Sequence, residues 1–190
     1  MFNDISSPLA LLETRRSGRP RDMVAPGPDA AQLARMLAIA TRIPDHGKLA
    51  PWRFVVIDDR AAFAQLLADA YARERPDAGK LELQANADFA HQAPMLVAAI
   101  STPNPGSKIP RWEQELSAGA AVYNLELAAT AMGFVAGWLT GWACASPVVL
   151  EALGGKPDDR LAGFVFIGTP SRELEERPRP ALDEVVRHWP

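Results

Sequence analysis

Four arginines, Arg15, Arg16, Arg19 and Arg21, fall within seven positions, with Ser17 among them. A guanidinium fork matches two phosphate oxygens at once and a serine hydroxyl adds a further donor, so the cluster has the chemistry of an anion site. The structural alternative is a helix C-terminus, where cations offset the dipole; four arginines exceed what one helix end needs. A second stretch, Ile43 to Phe54, carries Asp45, His46, Lys48 and Trp52 on a segment interrupted by Pro44, Gly47 and Pro51. Polar side chains on a loop stiffened by prolines are where binding sites are built. Taken alone, the stretch reads equally as a surface turn with a core tryptophan at its exit.

Other chemistries find less support. No Gly-x-Gly-x-x-Gly follows a strand pattern and there is no Walker loop, which argues against a Rossmann or P-loop nucleotide site. His46, His91 and His188 lack metal-ligand spacing, and no metal is expected. Cys144, in an Ala-Cys-Ala setting, reads as structural rather than nucleophilic. A net charge of −3 gives no case for nucleic acid. The single cysteine excludes an intrachain disulfide and suits a reducing compartment. The start, Met1 to Ile5, lacks the basic and apolar regions of a signal peptide, so a cytoplasmic location is expected. Ala118 to Leu139 is long and apolar, but Asn124 and Glu126 interrupt it and glycines follow. A buried helix and then a strand are expected there, not a membrane span.

The elements that must position these residues follow from local pattern. Ser7 caps a helix with Pro8 at its first position, running to about Arg16. Residues 18–28, rich in proline and glycine, predict an irregular excursion. Asp29 and Gln32 form a capping-box pattern ahead of Leu33, Met36, Leu37 and Ala40 at helical spacing. Phe54 to Ile57 is a continuous apolar run, expected as a strand covered on both faces. Helices are predicted over Ala61–Glu74 and, more weakly, Lys80–His91, with a second buried strand from Met95 to Ile100. The longest helix, about Arg111 to Met132, has almost no polar face from Ala118 onward, which implies burial all round, including cover from a second subunit. Gly133 ends it. Strands are expected at Phe134–Leu139 and Leu161–Ile167, with a short helix at Pro147–Leu153 between them. Residues 169–190 form a charged, proline-rich C-terminal arm, in which Arg177 to Pro180 reads as a rigid spacer or, alternatively, as added charge near a phosphate. The fold class is α+β: a single domain, residues 1–190, with a mixed, mainly antiparallel sheet of four or five strands packed on helices around the buried long helix.

Arg15-Arg16-Ser17 near the start, Pro44-Asp45-His46 and Pro51-Trp52-Arg53-Phe54 some thirty residues later, Arg111 to Glu115, Ser117-Ala118-Gly119 and Phe164 to Pro170 appear in an order that resembles the nitroreductase-like family of FMN-dependent oxidoreductases. The short YdjA-type NAD(P)H nitroreductase branch fits best. The likeness covers nearly the whole chain.

The resemblance implies a homodimer packed through the long helix, with the C-terminal arm embracing the partner, and FMN bound by both subunits. Arg15, Arg16 and Ser17 would hold the phosphate. Arg42 and His46 would contact FMN, one or both from the second subunit. The helix end (Ala128, Ala129, Thr130, Ala131, Met132 and Gly133) and the following strand (Trp138, Leu139 and Thr140) would contribute partly through backbone. Pro44, Pro51, Trp52 and Trp138 are candidate walls for the ring, and Lys48 could join Arg42 and His46 at its pyrimidine edge, where reduction places negative charge. No dedicated catalytic acid or base is expected, since the cofactor carries the chemistry. The implied activity passes a hydride from NAD(P)H through FMN to a nitroaromatic, quinone or similar acceptor by ping-pong turnover. The alternatives are a flavin-binding homodimer without turnover, serving storage, sensing or structure, and a homodimer that has lost the cofactor. One departure bears on affinity: Leu139 stands where relatives often carry arginine, in Trp-Arg-Ser-Gly, so one cation is missing.

Overall fold

A computed structural model of the protein describes residues 1–189. Five strands form the sheet: β1 (Met23–Val24), β2 (Trp52–Val56), β3 (Met95–Ser101), β4 (Val135–Leu139) and β5 (Arg160–Pro170). The longest of them, β5, pairs with β1, β3 and β4, and β2 pairs only with β3. The sheet was expected to be mixed but mainly antiparallel; all of these pairings are antiparallel.

Period-two alternation sorts the strand side chains between two helical layers. Val97, Ala99, Val165 and Ile167 face α2 (Ala30–Ala40) and α5 (Arg111–Ala131), meeting Leu33, Met36, Val122 and Leu125. Leu96, Ala98, Ile100, Phe164 and Phe166 face the opposite side. There α3 (Arg60–Glu74) contributes Phe63 and Leu67, α4 (Lys80–Phe89) contributes Phe89, and the short α6 (Trp142–Ala145) and α7 (Pro147–Ala152) contribute Ala143 and Val149. Phe89 stands edge-on to both Phe164 and Phe166, at centroid distances of 5.3 and 5.0 Å, a preferred aromatic geometry. The α+β architecture is thus a sheet covered on both faces.

Helix ends follow the sequence signals closely. In α1 (Pro8–Thr14) the Ser7 hydroxyl accepts from the N–H of Ala10. At α2, Asp29 and Gln32 close the capping box in both directions, at 2.8 and 2.9 Å. At the end of α5, Gly133 takes φ +86°, its N–H donates to Thr130 O, and the N–H of Phe134 donates to Ala129 O. That is a Schellman closure, for which a residue without Cβ is suited.

One expectation needs correction, and two others gain detail. Residues 18–28 are not wholly irregular: Met23 and Val24 pair with Pro170 and Thr169. The β2 strand packs on both helical layers, Val55 on one side and Phe54 and Val56 on the other. It is an edge strand, and Phe54, Val55 and Val56 are only half-buried, because a continuous apolar run does not encode how many neighbours its strand has. Within one chain, Trp112, Leu116 and Tyr123 of α5 are 61%, 65% and 40% exposed, leaving one side of the helix open to the second-subunit cover expected from the sequence.

The segment beyond the sheet starts at Ser171, as β5 runs to Pro170. It first turns back along β1, Ser171 donating to Asp22 O through both N–H and hydroxyl. From Glu175 to Trp189 it is exposed, with one short helix among the described residues, α8 (Leu182–Val185). Among the described residues, no helix is long and apolar enough to cross a membrane.

Candidate functional site

The arginine cluster is held by its backbone. The chain leaves α1 at Arg15 in an extended conformation. Asn3 clamps the next residue from both sides, accepting from the Arg16 N–H at 2.7 Å and donating to the Arg16 carbonyl at 3.2 Å. Gly18 N–H then donates to Ala136 O, which lays the segment beside β4. Arg15 and Ser17 consequently face α5. Arg15 Nη1 donates to Ser17 Oγ at 3.1 Å, and its guanidinium carbon stands 5.5 Å from the centre of the Tyr123 ring, a cation–π distance. Ser17 Oγ in turn donates to Glu126 Oε1 at 3.4 Å. Burial pushes the Glu126 carboxyl above the usual carboxylate range, against the pull of Arg15, Ser17 and the Trp138 N–H.

Arg16 points elsewhere. Its Nε donates to Glu175 O at 2.7 Å and its Nη1 to Ser17 O, so much of this guanidinium ties down the C-terminal segment. Arg19 pairs with the Glu175 carboxylate at 3.1 Å. Desolvation, and then the positive charges of Arg177 and Arg179, lower the Arg16 pKa. Cations that raise one another's energy in this way are what an incoming anion relieves.

The loop after α2 is fastened along α5 by polar side chains. Ser117 donates to Pro44 O at 3.0 Å, and Asn124 donates to Ile39 O at 2.6 Å. His46 Nδ1 lies 2.7 Å from a Glu113 carboxylate oxygen. The Arg42 and Lys48 side chains are exposed with the loop. Glu113 and Glu126 are thirteen residues apart on one helix, which corresponds to about 20 Å. Arg15, Ser17 and the Trp138 backbone therefore meet near Glu126, while His46 stands at the far end of α5; the Arg42 carbonyl lies between, accepting from Asn124 at 3.5 Å.

The strand residues divide similarly. Ala99 pairs with Gly163 and Ile100 with Leu161, leaving Ala162 as the extra residue of a β-bulge. Its carbonyl accepts from the Trp138 indole N–H at 2.9 Å. Bulges re-aim side chains beside functional sites, and here the bulge seats the indole over Gly163. Leu139 packs with the core on the opposite face, and Thr140 is exposed. At the end of α5, Ala128, Ala129 and Thr130 are buried, whereas Ala131 and Gly133 are exposed and Met132 is partly so. Thr130 and Gly133 line a cleft of about 750 Å³, together with Phe2, Ile5, Phe134 and Leu174.

Residues 12–169 match the family model described as the nitroreductase family. The chain belongs to the nitroreductase family. Two relatives in this family match most of it. One, from Haemophilus influenzae, carries the name "Putative NAD(P)H nitroreductase" and is 38% identical over 174 residues, which cover 90% of this chain and 92% of the relative. YdjA of Escherichia coli K12, named in the same way, is 37% identical over 164 residues, 85% and 87% of the two chains. Among solved structures, a nitroreductase-like family protein from Bacillus cereus superposes with TM-score 0.81 at 22% identity, covering 97% of this chain and 96% of its own. The FMN and NADPH-dependent nitroreductase NfnB of Sphigopyxis sp. strain HMH superposes with TM-score 0.69 at 22% identity, covering 94% and 97%. The fold is nitroreductase-like.

Four participants went unassigned at the level of sequence: Glu113, Tyr123, Glu126 and Glu175. Glu126 left a signal. A carboxylate one step from Leu125 in an alanine-rich helix occupies a core-facing position, where charge is rare unless something answers it. Glu175 left none, because its partners lie more than 150 residues away.

Proposed function

We propose that this nitroreductase-family chain is an FMN-dependent oxidoreductase, working as a cytoplasmic homodimer on NAD(P)H and a small electron acceptor. The observation that carries the reading is the Arg15–Ser17 pair, held by backbone at the end of α1 and turned toward α5. The donor set fits a phosphate: a guanidinium, a hydroxyl and the neighbouring crowded charges of Arg16, Arg177 and Arg179. His46 lies at the other end of α5, and Arg42 is exposed between the two. An antiparallel pairing of two α5 helices would bring the His46 end of one subunit to the Arg15 end of its partner. The apolar stripe of Trp112, Leu116 and Tyr123, with Gly119 and Ala120 between them, supports that pairing.

When bound, FMN would supply hydride chemistry between NAD(P)H and a nitroaromatic, quinone or similar flat electrophile. The chain's own contributions are simpler. Arg15 and Ser17 anchor the phosphate, with the helix end Ala128 to Gly133 close by. The Trp138 indole, fixed by Ala162 O, is a flat wall, and Trp138, Leu139 and Thr140 bring strand backbone to the site. His46, held by Glu113, and Arg42 offer donors where negative charge gathers on reduction.

Arg15→Ala removes a charge-assisted contact and is expected to weaken FMN binding by about 1.5–3 kcal/mol, roughly ten- to hundredfold. Titration of the apoprotein, followed by flavin fluorescence, measures it. Unchanged affinity would place the phosphate elsewhere. The test of the whole reading is the visible spectrum of the purified protein, followed by steady-state kinetics. A flavin band is expected, with parallel lines in double-reciprocal plots, because donor and acceptor would take turns at one open face of the ring. Intersecting lines would rule out that alternation. Anaerobically reduced protein that no nitroaromatic or quinone reoxidises would leave a flavin binder without turnover.

A further inference from the structure

Glu126 is a buried carboxylate that the redox chemistry does not use. It is 5% exposed, on the face of α5 that also buries Val122, Leu125 and Ala129. The groups that bear on it come from three directions. From the end of α1, the Ser17 hydroxyl donates to Oε1 at 3.4 Å, and Arg15 acts through space while donating to Ser17 itself. From β4, the Trp138 backbone N–H faces it. On its own helix, Tyr123 lies under the Arg15 guanidinium. The carboxylates nearest the other arginines are engaged away from it: Glu175 holds Arg19, and Arg172 bridges Asp22 and Glu175.

The hydrogen-bond valence of Ser17 is therefore committed. A hydroxyl has one hydrogen and two lone pairs. Ser17 accepts from Arg15 and spends its hydrogen on Glu126. A phosphate arriving at Arg15 and Ser17, as the FMN reading requires, finds the hydroxyl hydrogen already given to a carboxylate and a second negative charge behind it. Like charges sharing one set of donors favour a proton on one of them. A proton from solvent on Glu126 removes both obstacles. The carboxyl O–H then donates to Ser17 Oγ, the Ser17 hydrogen turns to the phosphate, and no covalent bond other than that new O–H changes.

We propose that Glu126 is a positioning residue that takes up one proton when the anionic cofactor binds, reversing the Glu126–Ser17 hydrogen bond and making cofactor retention pH-dependent. The proposal rests on the FMN reading of the Arg15 anchor. Burial already biases the carboxyl toward its neutral form.

FMN is the probe. Its dissociation constant is measured by flavin fluorescence from about pH 5.5 to 8.5, for wild type and Glu126→Gln. Glutamine keeps the acceptor for Ser17 and removes the charge. The two proteins should bind alike at the acid end. Toward the alkaline end the variant should bind roughly three- to tenfold more tightly, corresponding to a shift of about half to one pKa unit in Glu126 on binding. The second ionisation of the phosphate is common to both proteins and cancels in the ratio. Calorimetry of wild type in two buffers of different ionisation enthalpy counts the protons directly and needs no variant; it should show more uptake than Glu126→Gln wherever that variant folds. Free of FMN, wild type should lose stability as pH rises through the raised pKa, because the folded state holds the proton longer than the unfolded state; Glu126→Gln should not. A ratio that does not change with pH, weaker binding by the variant at every pH, or no proton uptake by wild type overturns the proposal. If Arg15→Ala also leaves FMN affinity unchanged, the anchor itself is misplaced and both readings fall. If Arg15→Ala weakens binding while no proton is taken up, only the role of Glu126 falls.

Discussion

Leu116→Glu is expected to convert the proposed homodimer into folded monomers. Leu116 is 65% exposed in the isolated chain, so the substitution meets open space there and leaves the core intact. In a two-fold assembly through α5 the position occurs twice. Burying an unpaired carboxylate costs roughly 3–5 kcal/mol at each occurrence, comparable to much of the free energy of a micromolar association. Light scattering should show half the wild-type mass at micromolar protein, with unchanged far-UV circular dichroism. FMN retention should fall with the dimer, because His46 is held about 20 Å along α5 from the Arg15 site and, in the proposed pairing, reaches it through the partner. A dimer that survives this change would move the interface off the Trp112–Leu116–Tyr123 stripe. A wild-type protein that is already monomeric and folded would remove the premise.

Gly163→Ala is expected to destabilise the fold by roughly 2–6 kcal/mol, combining about 1–3 for backbone strain and about 1–3 for overpacking. Gly163 has φ +149°, which L residues rarely adopt, and an added Cβ would stand 2.1 Å from the Trp138 indole nitrogen and 2.8 Å from the Leu139 carbonyl oxygen. Neither can yield cheaply: the indole is fixed by Ala162 O and the carbonyl belongs to a paired strand. The melting temperature should drop by about 5–20 °C for a chain of this size. Gly79→Ala is the control. Its nearest neighbour would be a Glu82 carboxylate oxygen at 3.9 Å, an ordinary contact, and the change should stay within about 1 kcal/mol. Equal melting temperatures for Gly163→Ala and wild type would mean that the bulge relaxes freely and does not fix Trp138.

Much of the fold was legible because local and tertiary signals agree. Asp29 with Gln32, Ser7 with Pro8, and Gly133 after an alanine-rich run each state a helix boundary in a few residues, and the structure places those boundaries within two residues of expectation. The runs at Met95 and Leu161 are continuous because both of their faces are covered. What was not legible depends on neighbours distant in sequence. Nothing in Phe54-Val55-Val56 says that β2 has one partner rather than two. Nothing in the proline-rich residues 18–28 says that Met23 and Val24 meet Thr169 and Pro170. The bulge at Ala162 is a mismatch of register between two strands, and neither strand carries it alone. In the candidate site, Arg15, Ser17 and Trp138 come together near α5, as their types suggested for an anion and a flat ring. Glu126 was visible only as an interruption in an apolar helix, because its meaning comes from residues more than 100 positions earlier.

The order of the sheet also sets the order of events during synthesis. The strand that pairs with β1, β3 and β4 is the last to be made. Until residues 160–170 leave the ribosome, β3 has β2 on one edge and nothing on the other, and β4 has no strand at all. At about 5–20 residues per second, the interval between the end of β3 and the start of β5 is roughly 3–12 seconds. During that time Leu96, Val97, Ala98 and Ile100, all fully buried in the finished protein, form an open apolar template of the kind that recruits other chains. Nascent chains are thus exposed to mispairing for about a third of their elongation. A chaperone that shields β3 would protect this protein more than one that acts after release, and a fragment ending at Asp159 would behave as a holdase client rather than as a smaller folded protein.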